Sequence, residues 1–152
     1  MALNAIGTSS IVCPQYTINQ ALSSQVPVYA YEFNDQTAPS YFPDMPGFQP
    51  LAYHTSDIQY LFPLWHGGPN GIAHPLNAQQ QQLSDELVNA WTNFARTGNP
   101  NPVSSGYWPR YDAQSWSSFY VSENIPTLSL LRDTQVSMDH ECKLWESLQP
   151  KS

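Results

Sequence analysis

His54 is the side chain of this sequence best suited to chemistry. It stands in the run Leu51-Ala52-Tyr53-His54-Thr55-Ser56-Asp57-Ile58-Gln59-Tyr60-Leu61-Phe62. An imidazole titrates near neutral pH, so it can take a proton and return it within one reaction cycle. Such a base needs a nucleophile to activate and a carboxylate to orient it. A serine nucleophile of this kind sits on a strained strand-to-helix elbow with the signature G-x-S-x-G. That signature occurs nowhere in the 152 residues. Ser56 and Ser129 lack any elbow around them, so neither is read as a nucleophile. Asp57 lies three residues from His54, close enough in sequence to face it.

The remaining candidates are weaker. Tyr41, Phe42, Phe48 and Tyr53 precede or flank the histidine. They are candidates for a substrate pocket, with ordinary loop packing as the alternative. His66, His74 and His140 have no comparable surroundings and are expected to face solvent. No Cys/His cluster has metal-ligand spacing, so no metal and no cofactor is expected. Cys13 and Cys142 stand near opposite ends, and two cysteines taken bare read as buried free thiols.

The elements that must position His54 are legible in the pattern. Scattered apolar residues from Asn4 to Ser23 predict one or two short helices, with Pro14 at the start of the second, where its missing N–H costs nothing. Val26 to Phe33 is β-branched, aromatic and apolar on both parities, which predicts a central strand buried on both faces. A proline-broken loop covers Asn34 to Pro50, and a short helix is expected from Ser56 to Phe62. Gly67-Gly68-Pro69-Asn70-Gly71 is a connector. Asn77 should cap a helix over Ala78 to Thr97, with Gly98 and Pro100 ending it. Leu83, Leu87, Val88, Trp91, Phe94 and Ala95 repeat at helical spacing and are expected in the core. Arg96 suits the helix dipole or a salt bridge. Two short strands follow, around Ser118 to Val121 and Thr127 to Leu131. A closing helix from Ser137 to Leu148 should carry Met138, Cys142, Trp145 and Leu148 on one side.

Composition narrows the partners. Charged residues make up 11%, aromatics 13%, and there are 14 prolines. A loop-rich globular region fits this better than a disordered one. The net charge of −7 with five Lys+Arg argues against nucleic acid or an anionic membrane surface. No apolar run reaches the roughly 18 residues of a membrane span. The N-terminus lacks the pattern of a secretory signal, and no Asn-x-Ser/Thr sequon is present.

Four segments, in this order, resemble the C-terminal part of type-B carboxylesterases, the cholinesterase-like branch of the α/β-hydrolases. Val28-Tyr29-Ala30-Tyr31-Glu32-Phe33 is similar to the family's late core strand. The segment from His54 to Phe62 is similar to its histidine loop, where the family usually has Gly near the His and Glu in place of Asp57. Trp91-Thr92-Asn93-Phe94-Ala95-Arg96-Thr97-Gly98-Asn99-Pro100-Asn101 is similar to a helix end, and Trp108-Pro109-Arg110-Tyr111 to the Trp-Pro-x-Tyr behind it. His140-Glu141-Cys142-Lys143-Leu144-Trp145 is similar to the closing helix. The resemblance spans Leu3 to Leu148, and thus implies that residues 1–152 are the C-terminal part of one carboxylesterase domain.

The fold implied is α/β, a C-terminal fragment of the α/β-hydrolase fold with late sheet strands, packing helices and an incomplete sheet. By the same resemblance His54 is the histidine of a Ser-Glu/Asp-His triad acting on a small carboxylic ester, and Asp57 is a supporting acidic residue and not the triad acid. The serine, the triad acid and the oxyanion loop would belong to a missing N-terminal portion, so the chain alone should be inactive. The resemblance also implies a bridge between Cys13 and Cys142, hence an oxidising compartment and a secreted or extracytoplasmic parent. A second reading is a non-catalytic interaction or adhesion module of the same fold, against which the retained His54 weighs. A sugar-binding platform would need aromatics alternating along an exposed strand, whereas here they lie in loops and on a helical face.

Overall fold

In the computed structural model, residues 7–43, 45–62, 67–102, 108–112, 119–123 and 129–148 are described. A π-helical turn, Thr8–Val12, runs into helix α1, Cys13–Ser23. Strand β1 is Ala30–Phe33, and a short helix α2, Ile58–Leu61, follows the His54 turn. Helix α3 covers Ala78–Thr97. Strands β2, Phe119–Glu123, and β3, Ser129–Arg132, lead into helices α4, Asp133–Asp139, and α5, Cys142–Ser147. The three strands form one sheet in the order β1-β2-β3.

The chain divides into two units that interleave in sequence. One comprises Met1–Ala30, Pro109–Val121 and Leu130–Ser152, the other Tyr31–Trp108 and Ser122–Ser129. In the first, Ala30, Tyr111 and Val136 form the core, with Val28 and Leu131 against it. Val28 pairs with Tyr111 in an antiparallel bridge, and the Tyr111 hydroxyl donates to Asp133 at 2.8 Å. A disulfide joins Cys13 to Cys142, with Cα atoms 5.3 Å apart. It closes a loop across a separation of 129 residues. On the chain-entropy model such a closure stabilises by roughly 4–5 kcal/mol.

The second unit carries His54. Its core is Ala38, Tyr60, Leu83 and Leu87, flanked by Phe33, Leu61 and Leu76. Helix α3 begins with a capping box: the Asn77 side chain accepts from the Gln79 and Gln80 amides, and Gln80 reaches back to the Asn77 amide. It ends at Gly98 in the left-handed region, φ 75°, where a Cβ would be strained. Beyond it Asn101 clamps Trp108 twice, accepting from its amide at 2.6 Å and donating to its carbonyl at 2.7 Å.

Several expectations need correction. β1 is an edge of the three-stranded sheet among the described residues, and only Ala30 is buried in it. A strand with one described neighbour cannot be covered like a central one. The α3 stripe is only half core: Leu83 and Leu87 are buried, but Val88, Trp91 and Phe94 are each at least 40% exposed. The buried partners lie along its N-terminal half, where α2 packs against it. Arg96 hydrogen-bonds Asn93 at 2.9 Å and makes no ion pair among the described residues. The closing helix is two, because Glu141 adopts φ 50° and breaks the backbone hydrogen-bond ladder. Met138 and Leu148 are exposed in consequence, and Val136 takes the core position. His140 is half-buried where solvent exposure was expected. His66, Ser118, Thr127 and Leu128 lie outside the described residues.

Candidate functional site

The site is built by fastening one turn to a helix pair. A buried carboxylate, Asp35, begins the fastening just after β1. Its Oδ1 accepts from the Thr37 amide at 2.9 Å and the Thr37 hydroxyl at 2.7 Å. Its Oδ2 accepts from the Tyr60 hydroxyl and from Gln80 Nε2, the latter at 3.2 Å. No described cation forms an ion pair with Asp35, which is 2% exposed. Neutral donors therefore supply what burial removes, since an unpaired buried charge is costly. Burial, and then the adjoining Asp35 carboxylate, hold the Tyr60 phenol well above its ordinary titration range.

This network ties the β1 end to α2 through Tyr60 and to α3 through Gln80. Ser84 of α3 adds a bond to the Tyr60 carbonyl at 2.5 Å. On the other side, Gln59 Nε2 donates to the Pro39 carbonyl at 2.7 Å and the Ser56 carbonyl at 3.2 Å. Helix α2 is too short to be stable alone, so these side chains hold it. None of Asp35, Gln59, Gln80 and Ser84 stood out in the sequence, because the bonds that fasten the unit, Asp35 to Gln80, Gln59 to Pro39 and Ser84 to Tyr60, join residues 20 or more apart.

The turn itself runs from Tyr53, with the Ser56 amide donating to the Tyr53 carbonyl at 3.0 Å. His54 is exposed on it, and its ring makes no hydrogen bond to any described residue. Asp57 is half-buried and caps nothing with its side chain; no hydrogen bond joins it to His54 among the described residues. Thr55, immediately after the histidine, has φ 78°, and Leu51 has φ 53°. A β-branched residue in that region is a genuine outlier, and such strain clusters at functional sites.

Three of the four pocket candidates come together. Tyr41, Phe42 and Tyr53 form a cluster with ring centroids 4.7 Å (41–42), 5.5 Å (41–53) and 5.7 Å (42–53) apart. Tyr41 is buried and Phe42 is 47% exposed, leaving an aromatic face open beside the histidine turn. Burial pushes the Tyr53 phenol up to about 12, and its hydroxyl donates to the Pro39 carbonyl at 3.4 Å. Phe48 is exposed and makes no ring contact with this cluster among the described residues. Ser56 is wholly buried and its hydroxyl has no partner among the described residues, so it is not presented for attack. Among the described residues no group of three His, Cys, Asp or Glu could hold a metal ion. No described helix is long and apolar enough to cross a membrane.

Comparison with known proteins gives one consistent picture. The model of the carboxylesterase family matches residues 1–145. An acylcarnitine hydrolase of Mus musculus is 34% identical over 107 residues, which is 70% of this chain and 18% of that protein. The acetylcholinesterase of Bungarus fasciatus is 30% identical over 150 residues, covering 96% of this chain and 22% of its own. A thermophilic pNB esterase superposes with a TM-score of 0.61 at 25% identity, over 85% of this chain and 24% of that one. The chain thus spans about a fifth of the curated relatives' length, and the helices and short sheet are a partial α/β-hydrolase fold.

Proposed function

Because this chain belongs to the carboxylesterase family, we propose that it supplies His54 as the proton shuttle of a serine ester hydrolase. The observation that carries the reading is an exposed imidazole on a strained turn anchored at both sides. A solvent-facing histidine with no structural duty would not need a buried carboxylate, two glutamines and a positive-φ threonine behind it. On this reading the nucleophile lies outside these 152 residues, since no G-x-S-x-G occurs among them, and the family resemblance puts the triad acid and the oxyanion donors with it.

In the assembled enzyme a neutral His54 takes the serine proton as the hydroxyl attacks the ester carbonyl, then gives it to the leaving alcohol. A carboxylate on the other ring nitrogen fixes the tautomer. Backbone donors stabilise the oxyanion by a few kcal/mol each, on the order of 3. The substrate is a small carboxylic ester, and Tyr41, Phe42 and Tyr53 form an aromatic wall beside its reacting group. Asp57 supports the turn. The Cys13–Cys142 bridge fits a parent folded in an oxidising compartment.

The isolated chain should not turn over a short-chain nitrophenyl ester, since loss of the serine alone costs about a millionfold in such systems. Turnover by the purified chain that disappears in His54→Ala would overturn this. Joined to the missing N-terminal portion, the chain should give an active esterase, and His54→Ala should abolish that activity without changing the circular dichroism. A coding sequence upstream of Met1 that contains an in-frame G-x-S-x-G is the corresponding genetic expectation.

A further inference from the structure

Thr55 is a side chain in the wrong backbone. At φ 78° it occupies a region where glycine is at ease and a β-branched residue is not. Something outside the turn must hold it there, and the only described side chain that hydrogen-bonds it is Tyr41, hydroxyl to hydroxyl. Tyr41 is a firm anchor. Its ring is 5% exposed, and it lies so close to Gly67 that a Cβ there would collide with it. Its carbonyl accepts from the Ile72 amide at 3.0 Å, and the Tyr53 ring meets it edge-on at 5.5 Å. One rigid ring therefore touches the residues on both sides of His54.

We propose that Tyr41 and Thr55 are positioning residues for His54, their paired hydroxyls clamping the turn in a left-handed conformation that Thr55 would otherwise leave. The proposal deepens the reading of His54 as the proton shuttle and rests on it for its purpose. The physical consequence follows from the chain geometry. If Thr55 relaxes to negative φ, the peptide after His54 rotates and the bond from the Ser56 amide to the Tyr53 carbonyl is lost. The imidazole then samples several directions instead of one, and a proton relay tolerates little misplacement.

The clamp can be read on the full chain without turnover. Tyr41→Phe and Thr55→Val each remove one hydroxyl while keeping shape, and Thr55→Ser keeps the hydroxyl. Expected in the first two is amide exchange at Ser56 faster by roughly tenfold or more, reporting local opening, with the His54 ring resonances split or broadened. Thr55→Ser should match the parent chain, and amides in the middle of α3 should exchange as before in all three. Unchanged Ser56 exchange and His54 resonances in both hydroxyl deletions would overturn the proposal. So would a loss of protection that spreads equally into α3, which would make the pair general packing. The turnover tests of His54→Ala stand apart: the clamp can hold while the hydrolase reading fails, and the two failures have different signatures.

Discussion

At the residue scale the informative atoms are those whose needs are unmet or over-met. Ser56 buries a hydroxyl that no described group satisfies, and leaving such a group unpaired costs about 1–3 kcal/mol. Ser56→Ala should therefore be neutral or stabilising by up to about 1 kcal/mol in urea unfolding. A clear loss would mean the hydroxyl has a partner. Asp35 is the opposite case, accepting from Thr37 twice, from Tyr60 and from Gln80. Asp35→Ala strands all those donors in the interior, so a loss of about 2–4 kcal/mol is expected from several unsatisfied groups. The same denaturation experiment measures it.

At the element scale, α3 is the strongest local statement in the chain. Its capping box and its left-handed glycine end are both realised, because each depends on residues within one turn of the helix terminus. Asn77→Ala should cost about 1 kcal/mol, visible as a lower urea midpoint with an unchanged slope. Helix α2 is a weak local statement: four residues held by Tyr60, Gln59 and Ser84 bonds that reach across the unit. Its first residue, Ile58, marks where the His54 turn ends. The closing segment divided at Glu141 for a reason that helical periodicity does not encode: one residue at φ 50° reorients everything after it, and Cys142 points into the disulfide.

At the scale of the whole chain, covalent and protonic constraints act together. Replacing Cys13 and Cys142 by Ser should lower stability by roughly 4 kcal/mol on the chain-entropy model, and reductant should have the same effect on the parent. Alkali is the second lever. Burial raises the Tyr53 phenol from 10.0 to about 12 and raises Tyr16 and Tyr60 as well. The unfolded chain therefore releases these protons first. The Tyr53 contribution to stability is whole below pH 10 and is lost as pH rises toward 12, while those of Tyr16 and Tyr60 are likewise whole below pH 10 and fall as pH rises through their own raised values. Cooperative unfolding in that window, followed by circular dichroism alongside tyrosinate absorbance, is the expected result. Asp133, also raised by burial, contributes in the same sense from the acid side: its share is whole below pH 3.8 and falls as pH rises past it.

By itself the sequence determined what short-range physics can determine: α3 with its caps, Pro14 in the first turn of α1, the approximate places of the three strands, and His54 as the residue to watch. Family membership was also legible, because the segments Trp91 to Asn101 and Trp108 to Tyr111 are close in the chain, with Asn101 bonded to Trp108. Tertiary structure alone decided which apolar face of α3 is covered, where β1 lies in the sheet, and what holds the His54 turn. The last of these rests on Asp35 meeting Gln80 and Tyr41 meeting Thr55, and hydrogen bonds between residues so far apart leave no periodic trace in a sequence. The strain at Thr55 was hidden for the same reason: a threonine does not announce a positive φ until another chain segment arrives to impose it.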